Sequence, residues 1–167
     1  PGTEAYVLSA GQSCAPGHYS DFLNQHLKLS SLGLGTFPGA ATAAVDAAYA
    51  DIVERALRAG INVIDTAAHY RYGRSMRAVG EGLRRAFAAG IRREQVYVVG
   101  KGGFLRFKDG PPADLATWFA ANIARKGLAT GDDLTGVHCL APGHIAAQID
   151  DLREATGLAT LDAFLID

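Results

Sequence analysis

The sequence predicts an α/β fold of parallel strands joined by helices, and three observations lead there. Short, largely apolar runs occur at 61–65, 96–99 and 161–166, the first of them β-branched, and each is preceded by a helical segment that stops at a glycine. Runs this short, apolar in succession and not in alternation, suit strands buried on both faces. The intervening segments repeat apolar residues at a 3.6-residue period, as amphipathic helices do. Finally, each run delivers a charged residue at or just past its end: Asp65, Lys101 and Asp167. Strand–helix alternation at this spacing implies right-handed crossovers. The rim at the carboxyl ends of such strands is where α/β proteins collect their chemistry.

In chain order, residues 1–27 read as an extension in which Gly, Pro and Ser break any period, with 11–17 as loop, and 28–31 lead into a first strand at 32–36. Gly33 and Gly35 form a G-x-G, but no third glycine and no helix follow, so a dinucleotide fingerprint is not met. A helix spans 42–59, with Val45, Tyr49, Ile52, Val53, Ala56 and Leu57 on one face and Gly60 as its stop. Strand two is 61–65. Ser75 is the expected N-cap of the next helix, which buries Val79, Leu83 and Phe87 and stops at Gly90. Strand three, 96–99, places Lys101 just past its end. A loop over 104–112 leads to a helix at 114–125 with Leu115, Trp118, Phe119 and Ile123 inward. Residues 127–138 are irregular. Pro142 opens a helix with Ile145, Ile149 and Leu152 inward, ended by Gly157, and strand four covers 161–166. These stripes are core positions, not binding surfaces.

The composition is that of an ordinary globular chain: 167 residues, 49% hydrophobic, 20% charged, net charge −1. Such a balance gives no electrostatic case for nucleic acid or an anionic membrane, and no apolar run approaches a membrane span. The arginines between 71 and 93 are spread over helix and loop and read as a solvated face. Cys14 and Cys139 are far apart and unpatterned, which favours reduced thiols in a cytoplasm. The five histidines show no metal-ligand spacing, and no nucleophile elbow is present. His144, near a helix start, reads as solvated. His138, in Val137-His-Cys139, looks like a site but precedes a helix. His69 adjoins Tyr70 and reads equally as pocket lining or as packing.

Asp65 and Tyr70 are the chemical centre. An acid at a strand end and a phenol five residues later can enter one pocket, although Asp65 as a turn cap and Tyr70 as a loop aromatic is the bland reading. A free tyrosine, with a pKa of about 10, donates a proton well only if a nearby cation stabilises the phenolate it leaves. Lys101 can supply that cation, and Asp65 can hold its ammonium.

The stretch Asp65-Thr66-Ala67-Ala68-His69-Tyr70-Arg71-Tyr72-Gly73-Arg74-Ser75-Met76 resembles the signature D-T-A-x-x-Y-x-x-G-x-S-E of the aldo-keto reductases, with Met76 in place of the final acid. Leu32-Gly-Leu-Gly-Thr36 resembles the family's first strand, Gly60-Ile-Asn62 the approach to its second, and Val98-Val-Gly-Lys-Gly-Gly103 its third. The resemblance implies a (β/α)8 TIM-type barrel, of which this chain holds roughly the first half: 1–27 as an N-terminal extension and 28–167 as the first strands and helices, in one domain. A complete barrel takes about 250 residues, so an excerpt of a longer protein is expected.

It further implies NADPH as hydride source, a small carbonyl substrate, Tyr70 as general acid, Lys101 as its tuner and Asp65 as the lysine's partner. Gly35, Thr36 and Asp65 would border the cofactor, and Phe37, His69 and Phe104 the substrate. The family keeps a histidine at the end of strand four, where Asp167 stands here. An ionised aspartate only accepts hydrogen bonds, and it adds negative charge where the transition state builds it. Three functions therefore stand open: a carbonyl reductase, a non-redox acid/base enzyme such as a dehydratase or isomerase, and a catalytically impaired nucleotide-binding member.

Overall fold

The computed structural model describes residues 2–22 and 27–167. Pro1 and residues 23–26 of the expected extension lie outside them. The chain begins with α1 (Gly2–Val7) and a hairpin of β1 (Tyr19–Phe22) and β2 (Leu27–Ser30). Then come β3 (Gly33–Gly35), α2 (Ala43–Arg58), β4 (Val63–Asp65), α3 (Arg74–Ala88), β5 (Tyr97–Gly102) and α4 (Leu115–Asn122). A second hairpin, β6 (Leu134–Thr135) with β7 (His138–Cys139), precedes α5 (Pro142–Thr156) and β8 (Ala163–Ile166). β3, β4, β5 and β8 form a four-stranded sheet in that order, parallel throughout.

The register sets Gly35 beside Asp65, Asp65 beside Val99, and Lys101 beside Leu165. The charged residues of the three strand ends thus share one rim. The main core lies between the sheet and its helices, where Val53, Leu57, Ile64, Val79, Leu83 and Val98 are fully buried. Each such side chain contributes about 1.5–3 kcal/mol relative to an exposed one. α2 and α3 approach closely at Gly82, where an added Cβ would stand 2.6 Å from the Val53 Cβ and 2.7 Å from the Ala50 carbonyl oxygen. Among the described residues no helix is long and apolar enough to cross a membrane.

The structure corrects several expectations. Residues 11–17 are not simply loop, because a 3₁₀ turn covers Ala10–Ser13, and residues 28–31 do not lead into the sheet but form most of a hairpin strand. That hairpin and α1 close the amino ends of the strands, opposite the charged rim. Tyr6 is fully buried and donates to the Leu57 carbonyl at 2.5 Å. The buried Asn62 accepts from the Ser30 amide at 2.9 Å and donates to the Lys28 carbonyl at 2.9 Å. This use of Asn62 is why the second strand begins at Val63 and not at residue 61.

β5 runs on to Gly102, so Lys101 lies inside the strand rather than past it. Ser75 is not an N-cap: α3 starts after Gly73, and the buried Ser75 hydroxyl donates to the Thr36 carbonyl at 2.6 Å. Ile52, placed inward by period, is 44% exposed. Residues 127–138 contain β6, and β7 begins at His138, which bridges to Phe104. His144 is buried, not solvated, at 5% exposure. Arg71 is buried too, so the arginines of 71–93 are not uniformly a solvated face.

Candidate active site

At the end of β4 the chain turns through Thr66–Ala68, all fully buried, and enters a 3₁₀ turn at Tyr70–Gly73. Amides of this segment bond across to the next strand, Thr66 to the Val99 carbonyl and Ala68 to the Lys101 carbonyl, both at 3.0 Å. That ladder aims Tyr70 back over the strand ends. Its ring is 9% exposed, and the Lys101 ammonium donates to Tyr70 Oη and to Asp65 Oδ1, each at 2.8 Å. The Lys101 side chain is 18% exposed. Burial alone would lower its pKa, but the hydrogen bonds and charges of Asp65 and Tyr70 outweigh burial and raise it. The ammonium form is therefore secure at neutral pH.

Asp167 follows β8, and its amide bonds to the Gly102 carbonyl at 2.8 Å. His69 Nε2 stands 3.7 Å from Asp167 Oδ2, an ion-pair distance too long for a hydrogen bond. Burial is the main influence that lowers the His69 pKa; Asp167 works against it, while Lys101 and His138 add to it. His69 is thus neutral at neutral pH. Its ring packs edge-on to Tyr70, with centroids 4.9 Å apart, and lies 4.7 Å from Phe104, which in turn stacks 3.8 Å from His138. Phe37, 64% exposed, sets its ring edge against the other side of Tyr70 at 5.1 Å. Three of the expected pocket residues, Phe37, His69 and Phe104, therefore gather around the phenol. His138, read as standing before a helix, joins the end of the stack.

Of the residues expected to border a cofactor, Gly35 is exposed, and nothing lies within 4 Å of where its Cβ would stand. Thr36 is fully buried, and its hydroxyl donates to the Asp65 carbonyl at 3.0 Å, so its side chain ties two strand ends together.

Sequence reasoning missed the supports. Arg71 and Tyr72 adopt left-handed backbone, with φ of 50° and 60°, a conformation that non-glycine residues hold only when their surroundings enforce it. Arg71 supplies the enforcement. Its guanidinium donates to the Ala40 carbonyl at 2.7 Å and to Asp46 at 2.7 Å, and lies 5.2 Å from the Tyr49 ring centroid. Arg74 binds the same carboxylate. Burial tends to raise the Asp46 pKa, but the bonds from Arg74 and Arg71 prevail and lower it. Gln148, 3% exposed, clamps the segment after β5, accepting from the Gly103 amide at 2.8 Å and donating to the Phe104 carbonyl at 2.7 Å. A polar Gln148 one turn before Leu152 on an apolar stripe was the available signal; nothing in the sequence marked Arg71.

The fold recurs in known proteins. A D-galacturonate reductase of Hypocrea jecorina is 46% identical over 79 residues, 47% of this chain and 23% of that protein. A putative aldo-keto reductase of Pseudomonas aeruginosa superposes with a TM-score of 0.59 at 26% identity, covering 89% of this chain and 46% of its own. A thermostable aldo-keto reductase solved with the inhibitor epalrestat shares the fold, with a TM-score of 0.55 at 18% identity, over 89% of this chain and 42% of its own. The chain thus spans less than half the length of these proteins, as a partial (β/α)8 barrel. The sequence profile of the Aldo/keto reductase family matches residues 31–167, and the chain belongs to that family.

Proposed function

We propose that the chain carries the acid–base machinery of an NADPH-dependent reductase that converts an aldehyde or ketone to an alcohol. The observation that carries this reading is the Asp65–Lys101–Tyr70 relay, two 2.8 Å bonds from one ammonium. Tyr70 gives its hydroxyl proton to the carbonyl oxygen as that oxygen gains negative charge. The phenolate left behind meets Lys101 already in place, so the charge is stabilised without reorganisation. Asp65 holds the ammonium on station and keeps the neighbourhood from carrying a net positive charge. A bound nicotinamide would supply the hydride, and the open face of Gly35, with Thr36 and Asp65 beside it, fits a flat ring.

Asp167 cannot donate to the carbonyl, so we assign the second donor to His69. At 3.7 Å its Nε2 is not consumed by Asp167, whose charge nonetheless orients the ring. The reaction balances as carbonyl, NADPH and one proton giving alcohol and NADP⁺. The similarity to a D-galacturonate reductase makes a sugar-acid aldehyde the first substrate class to test. Cys14 and Cys139 are both free, which fits a reducing cytoplasm.

One observation favours a second reading. The His69–Asp167 pair beside Tyr70 offers two proton-transfer groups, as a dehydratase or isomerase would use. The deciding experiment is NADPH consumption by the longest natural form of this chain, with D-galacturonate and a panel of aldehydes and ketones. The reductase reading expects turnover that is lost in Tyr70→Phe with the fold intact. Product without NADPH consumption would move the assignment to proton-transfer chemistry, and full turnover in Tyr70→Phe would remove Tyr70 from the acid role.

A further inference from the structure

A cavity of about 650 Å³, whose lining does not include Tyr70, lies between the first turns of α3, the segment after β5 and α4. Four cations line it, Arg74, Arg77, Arg106 and Lys108, against the single lining carboxylate Asp109. In a chain of net charge −1 this is a local excess. Arg74 and Arg106 are committed to Asp46 and Asp151. Arg77 and Lys108 make no ion pair among the described residues. The aromatic faces of Tyr72 and Trp118 belong to the same wall.

A second chamber of about 250 Å³ lies beside it, with Arg106, Trp118 and Asn122 lining both. His144 lines it, 5% exposed, and neither of its ring nitrogens has a hydrogen-bond partner. Gln148, on the same wall, already spends its amide on Gly103 and Phe104. Leaving a buried imidazole without a partner is unfavourable, so such a group calls for a polar ligand or another account.

We infer that these adjoining chambers bind a nucleoside monophosphate, a phosphate monoester whose sugar bears a planar heterocycle, at a site separate from the carbonyl chemistry. Two unpaired cations match a dianion, and charge-assisted bonds from an arginine and a lysine are the usual means of holding phosphate. Trp118 and Tyr72 suit a flat heterocycle. His144, buried with both ring nitrogens unpartnered, lines the smaller chamber and makes that wall the polar one.

The test is calorimetric titration of AMP into the longest natural form, without NADPH and with NADPH at saturation, alongside the Arg77→Ala/Lys108→Ala double variant. Both substituted residues are exposed and unpaired, so thermal melting should be unchanged. The proposal expects saturable AMP binding that survives NADPH saturation, is weaker for inorganic phosphate alone, and weakens by about ten-fold or more in the double variant, the weight of one lost charge-assisted bond. Equal affinity in the double variant would overturn it, as would no saturable heat at millimolar AMP. Loss of AMP binding on NADPH saturation would show AMP in the cofactor's own place and overturn it too. NADPH consumption is read separately, so failure here leaves the reductase reading untouched.

Discussion

Replacing Lys101 with Met tests the relay most directly. The ammonium makes two 2.8 Å hydrogen bonds, to Tyr70 and Asp65, from a side chain only 18% exposed. A hydrogen bond to a charged group contributes about 1.5–3 kcal/mol. In the proposed reaction the bond to Tyr70 strengthens as the phenol yields its proton, so its loss falls on the transition state and not on the bound substrate. At about 1.36 kcal/mol per factor of ten, kcat should drop by about 10- to 150-fold with KM little changed. Initial rates of NADPH consumption with D-galacturonate measure this, with circular dichroism to check that the variant is folded. Asp65, 30% exposed at its side chain, loses its partner but stays in contact with water, so the fold should survive. In a Tyr70→Phe background the same substitution should change the rate no further, because the two groups act as one. A folded Lys101→Met variant with kcat within two-fold of the parent would refute the relay. A loss confined to KM would make Lys101 a binding group only.

Two further outcomes follow from the supports of the site. Arg71→Met removes the buried guanidinium that holds Ala40, Thr42 and Asp46. Because Asp46 keeps Arg74, the loss of stability should be about 1–3 kcal/mol, less than for a fully orphaned charge, with kcat lowered as the Tyr70 turn relaxes. Urea denaturation reads it, and a change under 0.5 kcal/mol would separate Arg71 from the turn. The second concerns pH: burial lowers the pKa of both His69 and His144 in the folded chain. Above about pH 6.5 neither residue binds a proton in either state, and their neutral burial stabilises fully. As pH falls below that value the unfolded chain takes up protons first, and stability declines until the folded pKa values are passed. The urea midpoint should therefore drop between pH 7 and 5, and drop less in His144→Phe; identical slopes would remove His144 from the account.

How much could be read from the sequence depends on how local the determining physics was. The parallel strands and the helices between them followed from periodicity and glycine stops, because core burial imposes both on nearby residues; the order of the strands was implied by the family resemblance. Asp65, Tyr70 and Lys101 were legible for a related reason: each stands at a fixed offset from an apolar run, and the register of β4 and β5 does the rest. The amino-terminal hairpin was not legible, since its partners, Ser30 with Asn62 and Tyr6 with Leu57, are 32 and 51 residues apart. Ser75 had the residue type of a cap but spends its hydroxyl on Thr36, 39 residues away. His144 reads as a surface residue by type, and only tertiary packing around α5 buries it.

The turn that carries Tyr70 has to meet two demands at once. Its first residues must bring the phenol over the ends of β4 and β5, within 2.8 Å of Lys101. Four residues later α3 must already be running, with Ser75 fully buried under Thr36 and Met76 packed against Ala68 and Leu152. An ordinary right-handed turn does not redirect the chain so quickly, and the backbone resorts to three left-handed residues in succession, Arg71, Tyr72 and Gly73. Glycine holds that conformation freely, but Arg71 and Tyr72 are each strained by about 1–3 kcal/mol. The charge-assisted bond from Arg71 to Asp46 and its pair of bonds to the Ala40 carbonyl are of the size needed to offset that strain. The arginine side chain therefore stabilises the backbone distortion of its own residue. Geometry at the phenol, strain in the turn and a partly buried ion pair with α2 are one coupled arrangement, which is why a residue remote from the proposed substrate should matter to the proposed turnover.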